Sequence, residues 1–303
     1  MNQEIYTRLC QLAGQEQVQQ AERMDRHTTF RIGGPADYFV APKDVETVKK
    51  VAGYCREEQI PFYILGNGSN LLVGDGGYRG VIIQVYKNLN EIRVEKTWVR
   101  AQAGAMLSVI AKQALAHSLD GFTFASGIPG TLGGAVVMNA GAYGGEMKDV
   151  VKEVTVLTPE GEILTIPGSE MRFGYRTSIV TEQHYIVVEA VLELQPGEQE
   201  TIRQRMEELR EKRTTRQPLD LPSAGSTFKR PEGYFAGKLI MDAGLQGFTV
   251  GGAQVSEKHC GFVVNRGGAT AADVRELMRQ VRERVHQQFG VSLEPEVKML
   301  GEF

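Results

Sequence analysis

At 303 residues the chain is longer than one ordinary hydrophobic core serves, so two or three subdomains are expected. Its 42% hydrophobic and 23% charged content is that of a soluble globular protein, and a net charge of −3 with an isoelectric point of about 6.0 argues against nucleic acid as a main partner. No apolar run is long enough to span a membrane, Met1 to Gln20 lack the apolar core of a signal peptide, and Cys10, Cys55 and Cys260 form no CxxC pair, so reduced thiols in a cytoplasmic protein are expected.

In chain order, residues 3–20 read as a short polar helix and Tyr38-Phe39-Val40 as a strand stopped by Pro42. Asp44 to Gln59 reads as a helix with Asp44 as its cap and Val48, Val51, Ala52 and Cys55 on one stripe. Pro61–Leu65 and Val81–Val85 read as strands. Glu91–Val94 and Trp98–Gln102 read as a hairpin around Lys96-Thr97. Met106–Ser118 carries apolar residues at helical spacing. Val150–Leu157 and Glu162–Ile166 flank the turn Pro159-Glu160-Gly161, and Tyr185–Leu194 follows as a long strand. Residues 198–216 form a highly charged helix, whose bland reading is a solvated face. Beyond it come a helix Phe235–Ala243, strands near Phe248–Val255 and Gly261–Val264, a helix Ala271–Phe289 and a strand Leu293–Leu300. The mixture predicts an α+β class rather than a regular βαβ alternation.

Two glycine-rich runs interrupt this pattern. Gly66-Asn67-Gly68-Ser69-Asn70-Leu71-Leu72 follows a strand. It is neither a dinucleotide fingerprint, which needs a glycine at Leu71, nor a Walker loop, since no Gly-Lys-Ser/Thr follows. It reads equally as a diphosphate-holding nest of amides and as a tight turn. The second run, Gly127 to Gly145, contains seven glycines among small or apolar residues. It is too long and apolar for a turn and suits backbone packed against something bulky, such as a planar cofactor ring. Together the runs suggest one large phosphate-bearing cofactor. The five histidines form no HxxxH or HxH pair, so no metal site is expected.

Seven motifs then occur in order: Thr28-Thr29-Phe30-Arg31-Ile32-Gly33-Gly34-Pro35-Ala36; the Gly66–Leu72 loop; Gly127-Ile128-Pro129-Gly130-Thr131-Leu132-Gly133-Gly134; Asn139-Ala140-Gly141-Ala142-Tyr143-Gly144; Phe173-Gly174-Tyr175-Arg176-Thr177-Ser178; Ala224-Gly225-Ser226-Thr227-Phe228-Lys229; and Leu293-Glu294-Pro295-Glu296-Val297. Each is weak alone. Together, from Thr28 to Leu300, they closely resemble the UDP-N-acetylenolpyruvoylglucosamine reductase family. The resemblance implies an FAD-binding fold of the vanillyl-alcohol-oxidase type. On it, residues 1–86 and 87–196 form two FAD-binding subdomains, and residues 197–303 a substrate domain entered through the helix at 198–216. It implies non-covalent FAD, NADPH as hydride donor and a UDP-sugar enolpyruvate as substrate. It implies cofactor contacts at Arg31, Gly66, Asn67, Gly68, Ser69, Asn70, Leu71, Gly127, Ile128, Pro129, Gly130, Thr131, Gly133, Gly134, Asn139 and Gly141. A monomer is expected, with neither nucleic acid nor membrane insertion.

The family's three chemical residues fall on Arg176, Ser226 and Glu296. Hydride added to the enolpyruvyl group leaves negative charge on the adjacent carbon and its carboxylate. Arg176 offers planar, permanently charged donors for that charge. Ser226 would deliver the proton, and Glu296 either steadies the enolate as an acid or orients Arg176. Taken singly, each reads as surface or loop chemistry; inside three separate motifs the functional reading wins. Tyr175, Arg213, Arg216 and Lys229 are the expected substrate contacts, with a helix-end dipole role as the alternative for the two arginines. Two departures limit the carry-over. Arg230 stands where relatives often have asparagine, and only Ile179–His184 separates the Tyr-Arg-Thr-Ser motif from the next strand, as in the family's shorter-loop branch. An FAD-linked oxidase lacks support from the serine and glutamate motifs, and the retained Arg, Ser and Glu argue against a non-catalytic sugar-nucleotide binder. If the second run lines the flavin, Gly130→Val weakens flavin retention; flavin content of the purified, folded variant measures this, and parental content would refute the assignment.

Overall fold

A computed structural model describes all residues from Met1 to Phe303. The chain forms two compact units, neither contiguous in sequence. The first takes residues 1–20, 38–67 and 80–212; the second takes 21–37, 68–79 and 213–303. These units cut the chain differently from the contiguous spans expected at 86 and 196. The physical reason is apolar: Phe30, Ile32 and Leu72, from early segments, are buried in the same core as Val274, Leu277 and Val281.

In the first unit, Asp44 caps the helix Val45–Glu57 as expected, its side chain accepting from the Thr47 amide at 2.7 Å. Val48, Val51, Ala52 and Cys55 are fully buried. Burial pushes the Cys55 thiol up to about 12, so it packs as an inert apolar group. The helix Gln3–Ala13 is shorter than expected. Gly14, at φ 91°, ends it, and Val18–Arg23 is a strand. A four-stranded sheet has the order Val18–Arg23, Pro35–Val40, Tyr78–Gln84, Phe62–Leu65. A five-stranded antiparallel sheet runs Ile163–Pro167, Val151–Leu157, Ile186–Glu193, Trp98–Gln102, Ile92–Glu95. Both expected hairpins lie in it. The charged helix, Gln199–Arg216, buries only Ile202 and Leu209 and carries surface pairs such as Arg203–Glu200, as its composition suggested.

In the second unit, Ser223–Ser226, Phe262–Asn265, Ala253–Val255 and Thr249–Val250 form an antiparallel sheet backed by the helices Ala236–Asp242 and Ala271–Phe289. The expected Phe248–Val255 strand is a tight hairpin bent at Gly251-Gly252. Of Leu293–Leu300, only Lys298–Leu300 pairs as a strand, parallel to Leu71–Val73. The preceding residues make only a single antiparallel bridge, Pro295 with Phe228, flanked by the bonds of Glu296 N–H to Thr227 and of Lys229 N–H to Glu294; Pro295 has no N–H with which to extend a ladder. No helix is long and apolar enough to cross a membrane.

The Ala271–Phe289 helix is fixed at its start by reciprocal caps. Thr270 Oγ1 accepts from the Asp273 amide at 3.0 Å, and Asp273 accepts from the amides of Thr270 and Gly252 at 3.0 and 3.2 Å. The Thr270 amide, followed by that of Gly252, holds the Asp273 carboxyl below its usual range. A depressed folded pKa stabilises above the unfolded value and is lost as pH falls through the folded one. Asp273→Ala is therefore expected to cost about 1 kcal/mol at neutral pH. The gap from the parent should close below about pH 4. Urea denaturation at several pH values checks this; a pH-independent gap would sink it.

Candidate active site

The first unit brings the start of the first glycine run, Gly66-Asn67, against the second run. Asn67 Nδ2 donates to the Pro129 carbonyl at 2.7 Å. A Cβ on Gly66 would lie 2.3 Å from Thr131 Oγ1, so glycine leaves the room that the Thr131 hydroxyl fills. Thr131 is buried, whereas Gly127, Pro129 and Gly134 are exposed. A Cβ on Gly134 would meet nothing nearer than Thr131 Oγ1 at 3.7 Å. A bare backbone surface thus faces open space beside a rigid junction, which fits a large planar group such as a flavin. Sequence reasoning missed that part of the second run is helical: Leu132–Val137 forms a short helix containing Gly133 and Gly134. The Leu132 and Gly133 amides are spent on the carbonyls of Ala105 and Ala103 at 2.8 Å each. Gly133 also packs on Ala103, where a Cβ would come within 2.9 Å of the alanine's own.

The same helix anchors the arginine motif. Gly174 and Thr177 bridge across a tight turn whose tip is Tyr175 and Arg176, with Arg176 left-handed at φ 59°. Two buried side chains grip the turn. Ser178 Oγ donates to the Val137 carbonyl at 2.8 Å, and Asn139 Nδ2 donates to the Gly174 carbonyl at 3.1 Å. Asn139 also donates to Glu146 Oε2 at 2.9 Å and accepts from the Lys148 amide at 2.9 Å. Its side chain is thereby committed to holding protein, and its place is behind the arginine turn. The Lys148 hydrogen bond, with lesser help from Asn139 and the Arg176 charge, keeps the Glu146 carboxyl below its usual range. Arg176 is half-buried, its guanidinium carbon 5.2 Å from the centroid of the exposed Tyr175 ring. Gly141 pairs with Glu146 in a two-residue ribbon.

In the second unit the segments that carry Ser226 and Glu296 are joined at Thr227. Ser223–Ser226 pairs with Phe262–Asn265 through a bulge at Ala224-Gly225, with Gly225 at φ 75°, leaving Ser226 exposed. The next residue, Thr227, is buried and fully engaged. Its amide donates to Gly261, its Oγ1 accepts from the Val263 amide at 3.0 Å, and its carbonyl accepts from the Glu296 amide at 2.9 Å. Asn70 Nδ2, from the first glycine loop, donates to the Glu296 carbonyl at 3.2 Å. Gly68, at φ 62°, packs against the His27 carbonyl and accepts from the Thr29 amide at 3.2 Å. Ser69 is half-buried and Leu71 buried beside them. Thr29 Oγ1 in turn donates to the Ser223 carbonyl at 2.7 Å. Lys229 is ion-paired to Glu294, while Arg213 and Arg216 lie in the last turn of the charged helix, Arg216 exposed. Arg230 stacks 4.0 Å over the Phe235 ring. Thr29, Thr227 and Ser178 were visible only as members of motifs; nothing in their spacing marked them as supports.

Two family models match the chain: an FAD binding domain over residues 36–167, and the C-terminal domain of UDP-N-acetylenolpyruvoylglucosamine reductase over residues 217–300. Over 301 residues the chain is 52% identical to the UDP-N-acetylenolpyruvoylglucosamine reductase of Clostridioides difficile, covering 99% of each. It is 55% identical to that of Caldanaerobacter subterraneus over 281 residues, 93% of each. The solved UDP-N-acetylenolpyruvylglucosamine reductase of Thermus caldophilus superposes with a TM-score of 0.80 at 36% identity, over 92% of this chain and 97% of that one. A 4-ethylphenol oxidase from Gulosibacter chungangensis, 16% identical with a TM-score of 0.50 over 64% of this chain and 42% of its own, shares the fold. The α+β, FAD-binding fold expected from the sequence is the fold found.

Removing Asn139 tests the support of the arginine turn. Asn139→Ala leaves the Gly174 carbonyl and the Lys148 amide without their partner. The expected loss is about 1–3 kcal/mol of stability, read as a lower urea midpoint. An unchanged midpoint would show that the side chain bears no strain of the turn.

Proposed function

The chain belongs to the UDP-N-acetylenolpyruvoylglucosamine reductase family, and on that premise we propose that it reduces UDP-N-acetylglucosamine enolpyruvate to UDP-N-acetylmuramate with NADPH, in the cytoplasm, as a step of peptidoglycan precursor synthesis. The observation that carries this reading is the Thr227 junction. It ties the strand that ends in the exposed Ser226 to the distant segment that carries Glu296, which supports a shared role for the two.

FAD, when bound, supplies the transfer of hydride from NADPH to the enolpyruvyl group. The Gly127–Gly134 run would hold its ring, with the Gly66–Leu72 loop toward its diphosphate. Every other part of the reaction falls to side chains. Arg176 sits on a turn gripped by Asn139 and Ser178, so its guanidinium meets the substrate carboxylate with little freedom to lose. It stabilises charge that grows on that carboxylate as hydride adds to the terminal carbon. Ser226 gives its Oγ proton to the carbon next to the carboxylate and, being exposed, regains it from solvent. Glu296 either steadies the same charge as an acid or orients Arg176. Tyr175, Lys229, Arg213 and Arg216 are the proposed contacts for the sugar nucleotide. The protein is proposed to act as a monomer.

The two halves of the reaction separate Ser226 from the rest. Bleaching of bound flavin by NADPH under anaerobic conditions needs no carbon acid, so Ser226→Ala should leave it nearly intact. Reoxidation by the enolpyruvyl substrate should slow about a hundredfold to ten-thousandfold. Ser226→Cys should recover part of the rate. Stopped-flow flavin absorbance reads each half. Equal slowing of both halves, or none in reoxidation, would remove Ser226 from the role of proton donor.

A further inference from the structure

Glu146 lies beside the arginine turn, yet the chemistry above gives it no part. It closes a short ribbon in which Gly145-Glu146 pairs with Gly141-Ala142. A Cβ on Gly141 would come within 2.7 Å of Glu146 Cγ, so the glycine leaves the room across which the glutamate side chain lies. Both ends of the residue are fixed. Its amide donates to Asp149 Oδ2 at 2.8 Å, and its carboxylate accepts from the Asp149 amide in return. The carboxylate also accepts from Asn139 Nδ2 and from Lys148 Nζ, at 2.9 Å each.

The two side-chain partners bear differently on the site. Lys148 is exposed, and an ion pair at the surface contributes little. Asn139 is buried and reaches the turn. The same Nδ2 that donates to Glu146 donates to the Gly174 carbonyl at 3.1 Å, while Oδ1 accepts from the Lys148 amide at 2.9 Å. An ionised carboxylate can only accept hydrogen bonds. It therefore disfavours the flipped amide, which would set Oδ1 against two oxygens, and keeps the NH2 group aimed at the Gly174 carbonyl. Gly174 bridges to Thr177 across the turn whose tip holds Arg176. The guanidinium also feels the carboxylate directly. Lys148 and Asn139 do most to hold the Glu146 carboxyl below its usual range, and the charge of Arg176 adds to them.

We infer that Glu146 is a positioning residue for Arg176: its carboxylate orients Asn139 behind the turn and draws the guanidinium to one resting place before substrate arrives. The inference rests on the reading of Arg176 as the partner of the substrate carboxylate. A fixed negative charge near that arginine repels an anionic ligand, so it does not help the ligand to bind. Its contribution is to the geometry from which the reaction starts. Removing the charge should therefore slow the step without weakening binding, a split that a general loss of structure does not produce.

The test follows reoxidation of the reduced flavin by saturating enolpyruvyl substrate in the flavin-loaded protein. Glu146→Gln keeps the shape and one acceptor oxygen and removes the charge. It should slow reoxidation about ten- to a hundredfold, leave bleaching by NADPH nearly intact, and bind substrate at least as tightly as the parent. Glu146→Asp, which restores the charge, should recover part of the rate, and Lys148→Gln should change little. In an Arg176→Lys background Glu146→Gln should add little further slowing, because a residue that acts through Arg176 then has nothing to act on. A parental reoxidation rate in Glu146→Gln would overturn the inference. So would equal slowing of both half-reactions, the same loss in Lys148→Gln, or full additivity with Arg176→Lys. The resting place of the guanidinium is read separately, by NMR relaxation of the Arg176 Nε–H group, identified by its disappearance in Arg176→Lys. That group should be more mobile in Glu146→Gln than in the parent, and equal mobility would overturn the inference. If Arg176→Lys itself reoxidises at the parental rate, the reading of Arg176 fails alone, and the relaxation measurement still judges Glu146.

Discussion

The hydrogen bonds of Thr227 join the segments that carry Ser226 and Glu296 in the second unit. Its amide, hydroxyl and carbonyl each meet a different stretch of chain, at Gly261, Val263 and Glu296. The residue is 1% exposed, so each of these bonds is made away from water and each would be costly to leave open. The serine before it and the glutamate across from it inherit their positions from this buried residue. Valine would keep the shape and lose the hydroxyl, leaving the Val263 amide unpaired.

The first unit solves a similar problem differently. There Arg176 sits on a tight turn, and the fixing is done from behind by Asn139 and Ser178, both buried. The glycine-rich helix Leu132–Val137 serves two masters. One of its sides is packed on Ala103 and another is bare, so the element that would face the flavin also carries the arginine turn through the Val137 carbonyl. Movement at the ring surface would therefore be felt at the guanidinium.

How much of this was legible in the sequence follows from the range of the interactions. Elements whose signals are local were read well: the Asp44 cap, both hairpins of the five-stranded sheet and the full extent of the Ala271–Phe289 helix. The Leu132–Val137 helix was missed because two glycines in six residues suppress any helical propensity; backbone bonds to Ala103 and Ala105 hold it instead. The Leu293–Leu300 stretch alternates well enough for a strand, yet Pro295, with no N–H to give, leaves its first half a single bridge to Phe228 and only Lys298–Leu300 a strand. The glycine runs and the residues Arg176, Ser226 and Glu296 were singled out through ordered motifs. Their supports, Thr29, Asn139, Ser178 and Thr227, carry no periodic or compositional mark, since a buried hydrogen bond between distant residues leaves none.

The interleaving of the second unit has a consequence for how the protein comes into being. Residues 21–37 and 68–79 leave the ribosome long before residues 213–303, which supply most of the core they enter. Until then Phe30, Ile32 and Leu72 have no place to be buried, and Leu71–Val73 is a short unpaired edge awaiting Lys298–Leu300. Such closure is slow because the intervening chain must be ordered first. The nascent chain thus carries sticky, unfinished surface through most of its synthesis, and its need for chaperone protection is set by the order of segments along the message rather than by the stability of the finished fold.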